Sequence, residues 1–103
     1  MGRSARSRQR SHGVLLFAAQ GGRCAICGLH MVNGFFGPPR KHLRDRRATI
    51  EHVVPRARGG LNVLANKLLT HSACNAAKGA SKPSGCELLM RDLVHARIGW
   101  ALA

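Results

Sequence analysis

Four side chains in two pairs could hold one metal ion: Cys24-x-x-Cys27 and, far downstream, His71-x-x-Cys74. Thiolates and imidazoles at this spacing are zinc ligands, and a set of three Cys and one His closes an ordinary tetrahedral structural site. Cys86 is the rival for the fourth place. A lone Cys-x-x-Cys can also be a redox pair, but the strand before it and the long helix after it that such a pair occupies are missing here. Between the two halves lies Glu51-His52, and an imidazole, which titrates near neutral pH, is a candidate general base. The other readings of His52 are a buried structural histidine and one more zinc ligand.

The rest of the composition says what such chemistry would act on. Lys and Arg number 17 against 4 acids, a net charge of +13 that repels itself unless a polyanion is nearby, so nucleic acid is the expected partner. An anionic membrane fits less well, because no basic amphipathic helix stands out. A chain of 103 residues makes one domain with a small core, which usually needs a metal, a disulfide or a partner to hold it. Two disulfides would suit a secreted peptide, yet the zinc spacing leaves Cys86 unpaired and points to a reducing compartment such as the cytoplasm. Arg3 to Arg10 followed by Val14 to Ala19 imitates a signal peptide, but the apolar run is short and Gln20-Gly-Gly-Arg23 is a poor cleavage site.

The elements that must position these residues follow from local pattern. Residues 1–12, rich in Arg with Ser, Gln and Gly, are expected to form a flexible or disordered basic arm, and Val14 to Gln20 a short helix stopped by Gly21-Gly22. The stretch 29–48, broken by Gly34, Gly37, Pro38 and Pro39, reads as a loop or hairpin that offers Arg40, Lys41, Arg44, Arg46 and Arg47 to phosphates. Thr49 to Pro55 reads as a strand, Arg56 to Asn62 as a loop built on Gly59-Gly60, and Val63 to Thr70 as the returning strand. His71 to Lys82 begins as a metal knuckle and continues as a short helix. After the linker Pro83-Ser-Gly85, residues 87–100 have helical period, with Leu89, Leu93, Ala96 and Trp100 expected to pack on the zinc module or, in the other reading, to pair two copies of the chain. A monomer is the slightly preferred state. The expected layout is an arm over 1–12, a zinc-stabilised domain over 13–82 and a C-terminal helix over 83–103.

In this order, Cys24-x-x-Cys27, Ile50-Glu51-His52-Val53-Val54-Pro55, Gly59-Gly60, Asn66-Lys67-Leu68-Leu69 and His71-x-x-Cys74-Asn75-x-x-Lys78-Gly79 resemble the HNH, or ββα-metal, nuclease family over roughly half the chain. The resemblance implies an α+β fold, a β-hairpin plus helix stapled by structural zinc, and a metal-dependent DNA endonuclease leaving 5′-phosphate and 3′-hydroxyl ends. It implies that His52 is the general base, that Asn66 bridges backbone groups across the loop to orient it, and that Glu51 and Asn75 hold one Mg²⁺ or Mn²⁺. Arg56, Arg58 and Lys78 join the expected contacts to DNA, which is expected to be double-stranded. The small stand-alone format is similar to members found in phages and bacteria. Three departures stand out: Glu51 replaces the more usual Asp, Asn75 the final His, and His71 the first Cys of the second knuckle. As alternatives, Glu51 pairs with an arginine and Asn66 is a simple turn residue. A zinc-stabilised DNA-binding module that no longer cuts explains the charge and the knuckles equally well.

Overall fold

In a computed structural model, residues 5–35 and 40–102 are described. Among the described residues, three α-helices surround one antiparallel hairpin: α1 (Ala5–Ala19), β1 (Ala48–His52), β2 (Lys67–His71), α2 (Ser72–Lys78) and α3 (Gly85–Leu102). The strands pair with Ala48 opposite His71 and His52 opposite Lys67, so the candidate base and the metal knuckle lie at opposite ends of the hairpin. The fold is α+β, as expected.

Every residue of β2 is buried, because α1 and α2 pack on the hairpin and α3 closes the core with Val94 and Ile98. Leu16 from α1, Val53, Leu68 and Leu69 are fully shielded, with Met31, Val94 and Ile98 around them. The free edge of β2 is closed by a side chain. The Gln20 amide accepts from Leu69 N–H at 2.7 Å and donates to Leu69 O at 2.9 Å, copying the ladder that a third strand would make.

Four expectations are corrected. The basic arm is largely helix: α1 begins at Ala5, and residues 1–4 lie outside the described residues. No Gly or Pro interrupts Ala5 to His12, Arg and Gln favour helix, and His12 meets Lys67 Nζ at 3.1 Å, so the arm gains a tertiary anchor. Gly13 continues the helix where a side chain would strike Phe35: an added Cβ would lie 2.4 Å from that ring. Of the expected breakers, Gly37, Pro38 and Pro39 lie outside the described residues, as does Ala103 at the end of the expected C-terminal segment.

The returning strand starts late, because Leu64–Asn66 form a 3₁₀ turn before β2, and β1 ends at His52. Asn66 captures the backbone on both sides of this bend, as described below. Helix α3 is rotated from the expected face. Leu89, Leu93 and Trp100 are 60%, 58% and 86% exposed, while Leu88, Val94 and Ile98 face the core. The pattern misleads because two polar residues turn inward to partners: Glu87 meets Lys78 at 2.8 Å and His95 Nε2–H donates to Lys67 O at 2.8 Å. Ser84 and Glu87 form a reciprocal N-cap that starts this helix, Ser84 Oγ accepting from Glu87 N–H and Glu87 Oε1 from Ser84 N–H. The fourth correction, Lys78, belongs to the site.

Candidate metal centre and active site

The turn Cys24 to Gly28 is folded by a Gly28 N–H to Cys24 O bond of 2.9 Å, and Gly28 takes φ 77°, open to glycine at little strain. His71 ends β2 and Cys74 lies in the first turn of α2, so strand and helix deliver the other pair. The ligand atoms of Cys24, Cys27, His71 and Cys74 all lie within 4.8 Å of one another. His71 Nδ1 is 3.3 Å from Cys27 Sγ and 3.8 Å from Cys74 Sγ.

The surroundings fit a cation. His71 Nε2 lies 2.7 Å from the carbonyl of His30, which can only accept, so Nε2 carries the proton and the Nδ1 lone pair faces the thiols. Cys24 Sγ accepts from the N–H groups of Ile26 at 3.4 Å and His71 at 3.3 Å, the backbone donors that steady a thiolate. Burial, then the charge of Cys24, pushes the Cys74 thiol up to about 12, so Cys74 keeps its proton at neutral pH unless a cation joins the cluster. Cys86 is exposed and takes no part in the cluster.

At the other end of the hairpin, Asn66 ties the loop shut. Its Oδ1 accepts from Val54 N–H at 3.0 Å, and its Nδ2 donates to Val54 O at 3.0 Å and Leu61 O at 2.9 Å, while its own carbonyl accepts from Val53 N–H at 2.8 Å. Gly60 lets the loop close: a Cβ there would sit 1.7 Å from Val54 O. Removing the amide in Asn66→Ala is expected to lower stability by about 3 kcal/mol, roughly 1 kcal/mol per lost bond, read as a fall in the urea midpoint.

His52, at the end of β1, has Nε2 3.0 Å from Asn62 Oδ1. An amide oxygen only accepts, so Nε2 carries the proton and Nδ1 is left as the basic nitrogen. Asn62 is a residue that sequence reasoning missed. It sits in a loop read only as a turn, and nothing in its neighbours' spacing singles it out.

Asn75, on α2, donates from Nδ2 to Thr49 Oγ1 at 3.2 Å and to Ile50 O at 3.3 Å. The Ile50 carbonyl fixes the amide's orientation, and among the described residues Asn75 Oδ1 receives no hydrogen bond. Glu51 is 3% exposed, with Oε1 bonded to Lys78 Nζ and Oε2 without a partner. Thus the partner of Glu51 is Lys78 and not an arginine. Lys78, expected to face phosphate, is turned inward: its side chain is 7% exposed and it also reaches Glu87 Oε2 at 2.8 Å and Val53 O at 3.0 Å. The helical turn Asn75 to Lys78 faces β1, and the two carboxylates there hold the ammonium against the hairpin.

Two carboxylates share one cation, and their protons follow. Burial pushes Glu51 up to about 7, overcoming the pull of Lys78, with the nearby Glu87 adding to it. For Glu87, burial acts upward but the Lys78 hydrogen bond and its other partners outweigh it and hold the group below the usual range. Lys78 is raised, because the two carboxylates outweigh its burial.

The remaining expected DNA contacts, Arg40, Lys41, Arg44, Arg46, Arg47, Arg56 and Arg58, are all exposed. Lys41–Arg46 form a 3₁₀ turn just before β1, and Arg58 is held by its Nε to Ala80 O at 2.7 Å. Among the described residues, no helix is long and apolar enough to cross a membrane.

A hairpin followed by a short helix, with a Cys₃His cluster able to hold a metal ion at one end and, at the other, a histidine bonded to Asn62 beside the loop that Asn66 bridges, defines a ββα architecture. Residues 39–84, a little under half of the chain, match the family model described as HNH endonuclease, and this segment is similar to that family. The match takes in β1, β2, α2 and the loop between the strands, and stops short of Cys24 and Cys27. No curated protein matches the chain.

Proposed function

We propose that this protein is an endonuclease that hydrolyses phosphodiester bonds of duplex DNA, stabilised by one structural zinc at Cys24, Cys27, His71 and Cys74. The observation that carries the reading is the state of His52: its Nε2–H is held by Asn62, the loop behind it is locked by Asn66, and Nδ1 is left to take a proton. In the reaction, a water oxygen bonds to phosphorus as its proton passes to His52 Nδ1, and the bond from phosphorus to the 3′ oxygen breaks, that oxygen taking a proton from solvent water. The fragments carry a 5′-phosphate and a 3′-hydroxyl. Asn66 and Asn62 act as positioning residues.

Glu51 Oε2 and Asn75 Oδ1 are hard oxygen donors without partners among the described residues, both near the interface of β1 and α2, and they suit Mg²⁺ or Mn²⁺. When bound there, such an ion supplies positive charge for the leaving oxygen. The exposed arginines of the 3₁₀ turn and of the strand-connecting loop contribute phosphate contacts that set affinity, not base choice. Three thiol ligands and an exposed Cys86 suit a reducing compartment such as the cytoplasm.

One observation favours a second reading, a zinc-stabilised DNA-binding module without activity: Glu51 is buried and already neutralised by Lys78. Plasmid incubated with the protein, with and without Mg²⁺ or Mn²⁺, separates the two. We expect metal-dependent cleavage that falls by about 100-fold or more in His52→Ala, the range for loss of a general base, with DNA affinity retained. Binding without cleavage by either protein supports the module.

A further inference from the structure

Lys67 opens β2, directly opposite His52, and is 3% exposed. Among the described residues it has no carboxylate partner: the ion pairs are those of Lys78 with Glu51 and Glu87 and of Arg91 with Asp92. Among the described residues its Nζ meets only the His12 ring, at Nδ1 and 3.1 Å. An ammonium offers three N–H groups, so two are left without a protein acceptor, in a place where burial penalises an uncompensated charge. A buried carboxylate would normally answer that charge. Here the neighbours are cationic or neutral.

These groups line a cavity of about 180 Å³ between α1 and the strand-connecting loop, walled by Arg8, Gln9, His12, Asn62 and Lys67, with no acid among them. We propose that this cavity is a binding site for a phosphate group, and that its natural occupant is the DNA backbone phosphate next to the one attacked at His52. Lys67 and Arg8 supply charge, while the amides of Gln9 and Asn62 can donate to phosphate oxygens. The potential inside is already positive. Burial, then Lys67 and Arg8, hold His12 below its ordinary value, and burial, then Arg8, does the same to Lys67.

Asn62 gives the cavity its link to the chemistry, since the residue that lines it also holds His52 Nε2 at 3.0 Å. A phosphate seated against Asn62 would set the strand's register over Nδ1 and would steady the amide that orients the ring. The helical start of α1 is what brings Arg8 and His12 to this position, so the N-terminal segment would then be part of the binding face. The identity of the phosphate as DNA rests on the nuclease reading; the anion site itself does not.

The probe is inorganic phosphate added to the zinc-loaded full chain, read by NMR titration of the His12 ring and by thermal unfolding. His12→Gln assigns the resonance. We expect phosphate to raise the His12 pKa and the melting temperature, and Lys67→Met and Arg8→Gln each to weaken phosphate binding by roughly tenfold, the worth of one charge-assisted hydrogen bond. Arg8 is exposed, so its variant tests the site without disturbing the core even if Lys67→Met folds poorly. With DNA, Arg8→Gln should also reduce the salt slope of binding by about one contact. Absence of any His12 response, or an equal response in Arg8→Gln, overturns the proposal. A His12 response without DNA cleavage keeps the anion site and removes the nuclease; cleavage without a His12 response does the reverse.

Discussion

Treating the zinc-loaded protein with a strong chelator is expected to unfold it, with loss of helical circular dichroism and of any cooperative thermal transition. The four ligands come from a turn before the hairpin, the end of β2 and the start of α2, and few other contacts fasten that turn to the sheet. Ala25 N–H to Leu69 O at 3.0 Å and His71 N–H to Cys24 Sγ at 3.3 Å are the main ones. Structural zinc contributes an apparent 10–16 kcal/mol, about as much as the roughly 5–15 kcal/mol that holds a whole domain together. Cys27→Ser should therefore bind less than one zinc per chain and melt far lower. Cys86→Ser, outside the cluster, should change stability by less than about 0.5 kcal/mol. Equal damage from both substitutions would mean that the metal is held otherwise than the four converging side chains indicate.

What was legible in the sequence was the chemistry carried by spacing. Cys24, Cys27, His71 and Cys74 converge because two-residue gaps put both members of each pair on one side of a turn, a local geometry that short motifs encode. The hairpin was legible for a similar reason: Thr49, Ile50, Val53 and Val54 favour strand, and Gly59-Gly60 favour a turn. Where the reading failed, a distant partner decided. Residues 5–12 look unburiable alone, yet Lys67 and Phe35 receive His12 and Gly13. Helix α3 presents a persuasive stripe at Leu89, Leu93 and Trp100 that the fold leaves exposed, because Glu87 and His95 have hydrogen-bond partners on the hairpin side. A hydrophobic pattern ranks faces by transfer free energy and is blind to a polar residue whose bond is waiting elsewhere in the chain. Lys78 fell to the same blindness, since a basic residue in a motif next to a nucleic-acid face was read as a phosphate contact.

Replacing that lysine should reveal what it does. Lys78→Met is expected to cost about 3–5 kcal/mol, the usual result of removing one partner from a buried ion pair, because Glu51 and Glu87 are left facing each other. The loss should be smaller in mild acid, where protonation of one carboxylate relieves the repulsion. In the unaltered protein Glu51 already departs from solution behaviour: its folded value is about 7, against roughly 4.3 in an unfolded chain. The folded state therefore keeps a proton that the unfolded state releases, and this contribution to stability, complete below about pH 4, is lost as pH rises through 7. Glu87, held below its ordinary value, acts in the opposite sense and loses its contribution only in stronger acid. Urea midpoints at pH 5.5 and 7.5 should accordingly favour the lower pH, and Glu51→Gln should flatten that difference while keeping the fold. The same measurement bears on catalysis. If Glu51 Oε2 also receives a divalent ion, Mg²⁺ or Mn²⁺ stabilises the ionised carboxylate and raises the midpoint at pH 7.5 in the unaltered protein but not in Glu51→Gln. An ion with no such effect would leave Glu51 a structural partner of Lys78 alone, and the case for the inactive DNA-binding module would strengthen.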